Sequence, residues 1–314
     1  MLKQVVVTGS LAFDQIANFP GRFADHIDAK KLHILNISFL VETLRVERGG
    51  TGGNMAYTLA LLGTRPRLVA AIGGDGEAYE KDLARVGVNV SGVRAFAKER
   101  TAMGFVVTDK DDNQIWAFYG GAMRRTSEVK LIGLTPESLV IIGPSDPKAV
   151  VEYVRTCRLH KWPYLYDPAF QLPQYSRAQL RSGVLGAQIV VGNDYEIAQL
   201  KRLGSITKTE LISRERVVVT TLGDKGSRIE RGRKTWHIPA VKVRQAIDPT
   251  GAGDAYRAGL VAGFLRNLPL DVCGRMGSLA AAYTVEKYGT QTHRFTLEEF
   301  KRRYRENFGE RLPI

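Results

Sequence analysis

A glycine turn that leads into a helix carries the strongest chemical signal in the sequence. Residues 248–259 read DPTGAGDAYRAG, and the run from Asp254 onward begins a helix. The turn consists of Thr250, Gly251, Ala252 and Gly253. Unpaired N–H groups at such a turn converge at the positive end of the helix dipole, where they can stabilise a transferring phosphoryl group. Asp254 can accept the proton of an attacking hydroxyl, and the structural alternative is an ordinary capping aspartate.

Polar residues also follow the first apolar run of the chain. Asp14 lies beyond Val5–Thr8 in GSLAFD, and ligands bind at the carboxyl ends of strands in open α/β sheets. A carboxylate there can accept two hydroxyl groups of a sugar, or it can form an Asx turn. Residues 49–53 read GGTGG, which lets the backbone approach a polar ligand, and Asn54 follows as a hydroxyl partner or a helix cap.

Two further patterns follow later strands. Asn193 and Glu196 come after Ile189–Val191 and lie one helical turn apart, so their oxygens suit Mg²⁺ held through water. A capping box is the structural alternative for this pair. The segment TLGDKG at residues 221–226 follows Val217–Thr220, and on its own it predicts only a turn.

The elements that position these residues alternate along the chain. Short apolar runs predict buried strands at Val5–Thr8, Arg67–Ala71, Leu139–Ile142, Tyr164–Tyr166, Ile189–Val191 and Val217–Thr220. Helical patterns lie between them at Asn54–Leu62, Pro147–His160 and Tyr195–Arg202. This alternation predicts an α/β fold with a mostly parallel sheet that is covered on both faces.

Two segments break the alternation and predict a small β lid. Residues 12–48 have an irregular pattern, and Met103–Thr108 and Ile115–Tyr119 flank a polar stretch as in a β-hairpin. We expect a large domain of residues 1–11, 49–95 and 126–314, with a lid of residues 12–48 and 96–125. A lid would exclude water from a phosphoryl transfer.

Four motifs in order resemble the ribokinase/PfkB family of carbohydrate and nucleoside kinases. They are GGTGGNMA (49–56), NDYE (193–196), TLGDKG (221–226) and DPTGAGDAYRAG (248–259), and the resemblance covers essentially the whole chain. It implies a ribokinase-like three-layer α/β/α sandwich with a small β-sheet lid. It also implies an ATP-dependent kinase that uses Mg²⁺, and it leaves open activation by a monovalent cation.

The resemblance also implies roles for individual residues. Asp14, Gly49, Gly50 and Asn54 would bind the sugar of the acceptor. Seven residues would bind ATP: Asn193, Thr221, Gly223, Gly226, Thr250, Gly251 and Gly253. Of these, Thr221, Gly223 and Gly226 would contact its phosphates and ribose. The nucleotide would lie over them and over a helix near residues 280–285.

The chain is most similar to the bacterial adenosine kinases built on the ribokinase plan, in its long lid insert, in residues 117–123 and 167–172, and in GTQ at 289–291. That similarity implies a lid-mediated homodimer and formation of AMP in purine salvage. Phe118 and Phe170 are candidate walls for the base, and Ser10 and Gln171 are candidate hydrogen-bond partners. One difference is Gly104, with Phe105 beside it, at the position where the subgroup has an aromatic lid residue.

Composition bounds the class of protein. The chain has 314 residues, 44% of them hydrophobic, which is enough for a sizeable core. No secretory signal or membrane span is evident, and two isolated cysteines favour a reducing compartment, so we expect a cytoplasmic protein without membrane association. The net charge of +13 is spread along the chain, and no nucleic-acid-binding motif accompanies it.

Three alternatives remain from the sequence. The first is a sugar kinase for ribose or fructose, or a kinase for guanosine, inosine or cytidine. The second is a non-catalytic nucleotide-binding regulator, which an intact Asp254 argues against. The third is a nucleic-acid-binding protein, to which the basic charge alone points.

Overall fold

The computed structural model describes residues 2–27, 34, 36–111, 113–213 and 215–314. Part of the insert expected in the lid, residues 28–33 and 35, therefore lies outside the described residues. No helix in the described part of the chain has the length and apolar content that crossing a bilayer requires.

The larger sheet has nine strands among the described residues. In spatial order they are β13 (Lys234–Ile238), β12 (Ser227–Arg231), β11 (Val217–Thr221), β10 (Ile189–Asn193), β9 (Tyr164–Tyr166), β8 (Ser138–Ile142), β1 (Gln4–Thr8), β4 (Arg67–Gly73) and β5 (Asn89–Phe96). Seven neighbouring strands from β11 to β5 run parallel, and β12 and β13 add an antiparallel hairpin at one edge. All six predicted strands are confirmed.

Helices cover both faces of this sheet. They are α1 (Thr51–Leu61), α2 (Glu77–Arg85), α3 (Pro147–Leu159), α4 (Arg177–Gly186), α5 (Asp194–Gly204), α6 (Lys208–Leu211), α7 (Ala252–Leu265), α8 (Leu270–Val285) and α9 (Leu297–Phe308). Side chains of a strand alternate between its faces, so Val5 and Val7 join the core under α1, α7 and α8, while Val6 joins the core under α3 and α4. The predicted three-layer α/β/α sandwich is confirmed.

A second sheet has four strands from the two segments that break the α/β alternation. In spatial order they are β3 (Thr43–Gly49), β2 (Ala12–Asn18), β6 (Ala102–Thr108) and β7 (Gln114–Tyr119). The β6–β7 hairpin is confirmed and its strands are antiparallel, whereas β2 and β6 pair in parallel. The division into a large domain and a lid stays a prediction.

The hairpin tip is tied to the insert by Asp109. Its Oδ2 accepts a hydrogen bond of 2.9 Å from the backbone N–H of Phe23, and its Oδ1 accepts from the N–H groups of Asp111 and Asn113. Phe19 and Phe23 pack with Phe39 beneath this connection. The four-stranded sheet is therefore held as a unit, which matters because its inner face borders the site.

Candidate active site

The turn before α7 forms as the sequence predicted. Gly251 adopts a φ of 78°, which favours glycine, and a Cβ there would lie 2.9 Å from the side chain of Thr290. The N–H of Ala252 donates to Pro249 O at 3.2 Å, and that of Ala255 donates to Gly251 O at 2.9 Å. Among the described residues, nothing accepts from the N–H groups of Gly253 and Asp254. We had expected the N–H groups of Ala252 and Gly253 to be the free donors. They are those of Gly253 and Asp254, because the N–H of Ala252 closes the turn.

Asp254 lies in the first turn of α7, directly beside these free N–H groups. The pKa of its carboxyl is raised to about 7, chiefly by burial and to a smaller extent by the charges of Asp167 and Asp14. Arg257 and a hydrogen bond from Asn54 oppose that rise. A carboxyl that titrates near neutral pH is matched to general base catalysis.

A buried arginine, Arg257, packs against Gly253 of the turn. Arg257 is 6% exposed, and its Nε lies 2.5 Å from Asp167 Oδ2, with Glu196 Oε2 at 3.9 Å from its Nη2. A Cβ on Gly253 would lie 2.7 Å from Arg257 Nη1, so the absence of a side chain at Gly253 lets the guanidinium approach the turn. Arg257 thereby places a positive charge behind the N–H groups that we expect to bind an anion.

Asn54 joins α1 to α7. The helix begins at Thr51, so Asn54 lies in its second turn and does not cap it, as one alternative had it. Its Nδ2 donates to Asp254 Oδ2 at 2.8 Å, and its Oδ1 accepts from Gln291 Nε2 at 2.9 Å and faces Thr290 Oγ1 at 2.7 Å. One Nδ2 proton remains for a ligand, so Asn54 can act on a sugar hydroxyl only as a donor.

The glycines before Asn54 serve the protein's own packing. A side chain on Gly49 would collide with the Asp14 carboxylate, and one on Gly53 with the Tyr79 hydroxyl. Gly50 has a φ of 88°, and its Cβ would lie 2.6 Å from Ser10 O. These glycines therefore leave room for Asp14, Ser10 and Tyr79, and close approach of a ligand to their backbone stays a prediction.

The carboxylate of Asp14 lacks hydrogen-bond partners in the described part of the chain. No described residue donates a hydrogen bond to its carboxylate, which lies against Gly49 and Gly104. Burial raises its pKa to about 6, with further contributions from the charges of Asp248 and Glu47. A half-buried carboxylate without protein donors points to a ligand that supplies them.

A cavity of about 570 Å³ extends from Asp14 across the inner face of the four-stranded sheet. The residues that line the cavity fall into three groups. Ile16, Val106 and Trp116 give an apolar middle; polar groups lie at the far end, among them Asn18, Thr108 and Gln114. The opposite wall consists of residues 246–250 and 288–290, which includes the start of the anion-binding turn.

Trp116 is one of three aromatic residues that line this cavity, with Phe19 and Tyr288, and the sequence did not indicate it. A Cβ on Gly104 would lie 3.1 Å from its ring and 2.5 Å from Asp14 Oδ1. The glycine that departs from the subgroup pattern thus admits Trp116 beside Asp14. Phe118 shares this face by register but is half exposed, and Phe170 lies on the 169–174 turn after β9; neither lines the cavity.

The two predicted hydrogen-bond partners of the nucleoside are engaged elsewhere. Gln171 is 3% exposed, and its amide donates to Ser145 O at 2.5 Å and accepts from Ser145 N at 3.2 Å. The Ser10 hydroxyl accepts from Thr51 N at 3.1 Å and so holds the start of α1. In this conformation both residues position loops at the carboxyl ends of strands.

The candidate nucleotide loop follows β11. Thr221 ends that strand, Gly223 has a φ of 62°, and a Cβ there would meet nothing within 4 Å, so its surface is open to a ligand. Gly226 differs, because its Cβ would collide with the backbone at Ile238. Gly223 therefore suits close approach by a phosphate, whereas Gly226 seats the loop on β13.

Asn193 and Glu196 form the capping box of α5. Asn193 Oδ1 accepts from Glu196 N at 2.7 Å, and Glu196 Oε2 accepts from Asn193 N at 2.8 Å. Burial raises the pKa of Glu196. No cluster of three or more His, Cys, Asp or Glu side chains converges among the described residues. A water-mediated Mg²⁺ contact at Asn193 and Glu196 stays a prediction.

Two of the residues that we missed, Arg257 and Asp167, share one signal. Arg257 is a charged residue inside an otherwise apolar helix run, and Asp167 follows the β9 strand. Charges at such positions indicate a buried partner. Trp116, Tyr79 and Gln291 carried no comparable local signal, because their neighbours in space lie far away in sequence.

The same fold and motifs occur in known proteins. The model of the pfkB family carbohydrate kinases matches residues 3–296. A nucleoside kinase of Methanothermobacter thermautotrophicus is 34% identical, with 99% of each chain covered, and a Haemophilus influenzae ribokinase is 25% identical over 85% of this chain and 93% of its own length. The structure of a Burkholderia thailandensis nucleoside kinase in complex with inosine superposes with a TM-score of 0.88 at 33% identity, covering 98% of this chain and 99% of that one. This chain therefore belongs to the pfkB family of carbohydrate kinases.

Proposed function

We propose that this protein transfers the γ-phosphoryl group of ATP to the 5′-hydroxyl of a purine nucleoside, with adenosine as the first acceptor to test and AMP as its product. One observation carries the proposal. Asp14 lines one cavity with residues 248–250 of the turn before α7, and Asp254 lies in the first turn of that helix, where the charge of Asp14 acts on its carboxyl. A hydroxyl-binding group thus lies within electrostatic reach of a base.

The length of the cavity favours a nucleoside over a free sugar. Asp14 and Asn18 lie four residues apart on β2, which spans about 13 Å along a strand. A ribose held by Asp14 would fill only one end. The apolar band of Ile16, Val106 and Trp116 beyond it suits a flat base, and the polar far end suits the base's edge.

The reaction uses the groups around α7. Asp254 accepts the proton of the 5′-hydroxyl while the 5′-oxygen of the acceptor forms a bond to the γ-phosphorus of ATP. The bond to the bridging oxygen breaks, and ADP leaves with that electron pair. The N–H groups of Gly253 and Asp254, backed by Arg257, donate to the phosphoryl oxygens as charge develops.

The remaining ATP contacts fall on the loop after β11. Thr221 and the open surface at Gly223 would contact the phosphates and ribose, with Gly226 shaping the loop. Bound Mg²⁺ would neutralise charge on the phosphates. Glu196 would hold it through water, because its Oε1 takes no part in the capping box.

Inosine is the second candidate acceptor. The structural relative from Burkholderia thailandensis binds inosine, and the polar end of this cavity carries the amides of Asn18 and Gln114, which can face either an amino or an oxo group. Ribose is the third, because a ribokinase is among the relatives.

The test is ADP release with ATP and Mg²⁺ against adenosine, inosine, guanosine, cytidine, ribose and fructose, with the site of phosphorylation determined in each product. We expect turnover with a purine nucleoside to exceed turnover with ribose, and the phosphate to lie on the 5′-oxygen. If a free sugar is turned over in preference to the nucleosides, the proposed substrate class is wrong, but the proposal of a kinase stands. No turnover with any of the six would contradict the proposal.

We also propose that the protein forms a homodimer through the outer face of the four-stranded sheet. By strand register Leu44, Val46, Phe105 and Ile115 share that face, opposite Asp14 and Trp116, and Leu44 and Val46 are each 62% exposed. Contiguous exposed apolar side chains on a sheet favour burial against a partner. A second copy would offer the same face about a two-fold axis.

Light scattering on the purified protein tests this. The wild type is expected to have the mass of a dimer, and Val46→Glu to shift it toward a monomer, because a charge would enter the apolar interface. Leu159→Glu is the matched control, since Leu159 is an exposed apolar residue at the end of α3. A monomeric wild type would refute the dimer.

The cytoplasm is the compartment we propose. Cys157 and Cys273 are both buried and unpaired, as in a protein that folds without disulfides. An ATP-consuming reaction suits the same compartment. Cell fractionation with an antibody to the protein would test this location.

A further inference from the structure

A chain of hydrogen bonds leads from the backbone of β3 to the catalytic base. The hydroxyl of Tyr79, on α2, donates to Gly49 O at 2.8 Å and accepts from Gln291 Nε2. The same Gln291 nitrogen donates to Asn54 Oδ1 at 2.9 Å, and Asn54 Nδ2 donates to Asp254 Oδ2 at 2.8 Å. Four side chains from four separate parts of the sequence thus meet in one line.

Each proton in this chain has one consistent place. The phenol proton of Tyr79 goes to Gly49 O, so the Tyr79 oxygen can only accept from Gln291. That requirement points the nitrogen of the Gln291 amide toward Tyr79 and Asn54. Asn54 must then present its oxygen to Gln291 and its nitrogen to Asp254.

Thr290 alone does not set this orientation. Its Oγ1 lies 2.7 Å from Asn54 Oδ1 and 2.8 Å from Arg48 O, and a hydroxyl has one proton to donate. With that proton on Arg48 O, Thr290 would accept from a reversed Asn54 amide equally well. Gln291 excludes the reversed amide, because two N–H groups would then face each other.

This chain of hydrogen bonds through Tyr79, Gln291, Asn54 and Asp254, which we call the relay, lies in the protein interior. Tyr79 is fully buried, and Gly53 provides the space for its hydroxyl, since any side chain at Gly53 would collide with it. A buried phenol oxygen with both of its hydrogen bonds made is held in one position. The glycine at Gly53 therefore belongs to this relay.

We infer that Tyr79 and Gln291 are positioning residues that keep the Asn54 amide nitrogen directed at Asp254, and so keep the base in its proton-accepting form. The inference rests on the proposed role of Asp254. Without the relay, the Asn54 amide can reverse and turn its oxygen toward the carboxylate. Deprotonated Asp254 would then lose a donor and gain a repulsive neighbour.

The consequence is a change in pH dependence. The hydrogen bond from Asn54 lowers the pKa of Asp254, so losing it raises that pKa. The other charged or titratable groups that act on this carboxyl are Arg257 on α7, Asp167 after β9 and Asp14 on β2, and none of them changes in the variants below. Activity at neutral pH should therefore fall, and recover as the pH rises.

The experiment is the pH profile of kcat and kcat/KM for Tyr79→Phe, which removes one hydroxyl from the relay. We expect the acidic limb to move toward higher pH. The loss of activity should be about tenfold at pH 7 and should shrink toward pH 9, because a hydrogen bond to a charged group is worth about one pKa unit or more. The KM for ATP should stay unchanged.

Tyr153→Phe is the matched control. Tyr153 is equally buried, and its hydroxyl donates to Val129 O at 2.7 Å on the other side of the large sheet. Tyr153→Phe should lose about as much stability as Tyr79→Phe, and its pH profile should keep the acidic limb of the wild type. An unmoved limb in Tyr79→Phe, or equal shifts in both variants, would overturn the inference.

Gln291→Met provides an independent variant in case Tyr79→Phe does not fold. It should shift the limb at least as far, and the double variant should add little to it, since both residues act through one amide. Additive shifts would overturn the relay. Activity that survives in Asp254→Asn would instead refute the proposed function, so the two failures are distinguishable.

Discussion

The α7 end of the site and the four-stranded sheet differ in how completely their polar groups are satisfied. Around α7, Asp254, Asn54 and Arg257 all have protein partners at hydrogen-bond or ion-pair distance. On the sheet, Asp14 has no donor among the described residues and Trp116 is half exposed. Under the proposed function, the first region is preorganised for the reaction, whereas the second gains its missing hydrogen bonds from the bound acceptor.

This difference suggests separate roles for the two regions, with the chemical step at α7 and the choice of acceptor on the sheet. Groups that stabilise a transition state work best when they are fixed before the substrate arrives. A binding surface gains specificity from groups that the correct ligand satisfies and a wrong ligand leaves unpaired. Changes near α7 should therefore act on stability and kcat, and changes on the sheet should act on KM and on the choice of acceptor.

The largest effect on stability should come from Arg257→Met. Its removal leaves the buried carboxylate of Asp167 without its partner, and breaking a buried ion pair in this way costs about 3–5 kcal/mol. Urea unfolding measures the change. Arg155→Met, which breaks the exposed pair with Glu152, should change stability little. Equal losses in both variants would contradict a special role for the buried pair.

On the sheet, Asp14→Asn should raise the KM of the acceptor. Hydroxyl donors lose a charged acceptor, and hydrogen bonds to charged groups are worth about 1.5–3 kcal/mol, or roughly tenfold to hundredfold in kcat/KM. The KM for ATP serves as the internal control and should not move. A fall in kcat with an unchanged acceptor KM would place Asp14 in the chemistry instead.

A smaller and more selective effect is expected from Trp116→Leu. Loss of aromatic stacking is worth about 0.5–1.5 kcal/mol, so the KM for a nucleoside should rise a few-fold. Any turnover of ribose should change less, because a free ribose has no flat base to stack on the ring. Trp162→Leu, at a tryptophan that stacks on His160, is the control. Equal effects on nucleoside and ribose would remove Trp116 from base recognition.

The sequence predicted the fold well where its signals are local. Apolar runs located all six proposed strands of the large sheet, and glycine spacing located the turn at Gly251. The start of α1 was wrong by three residues, because Thr51, Gly52 and Gly53 have low helix propensity and tertiary packing overrides it. The register of β2, β6 and β7, which puts Trp116 beside Asp14, cannot be inferred from hairpin spacing alone.

The sequence indicates the proposed base, Asp254, but it does not indicate the residues that hydrogen-bond around it. Asp254 stands inside a motif, whereas Tyr79 and Gln291 meet across 212 positions of sequence. For Asn193 and Glu196 the alternative reading, a capping box, describes the geometry. Gln171 and Ser10 have polar groups of the right kind, but the loops at the strand ends already use them.

The pH profile of kcat/KM for wild type beside Asp254→Asn tests the central claim most directly. Both carboxyls must be deprotonated to act, so activity should fall as the pH drops through about 7 for Asp254 and steepen below about 6 for Asp14. Asp254→Asn should be about 10²–10⁴ slower and keep only the limb near 6. A variant that retains wild-type activity, or a wild-type profile without a limb near 7, would contradict the account of Asp254 as the base.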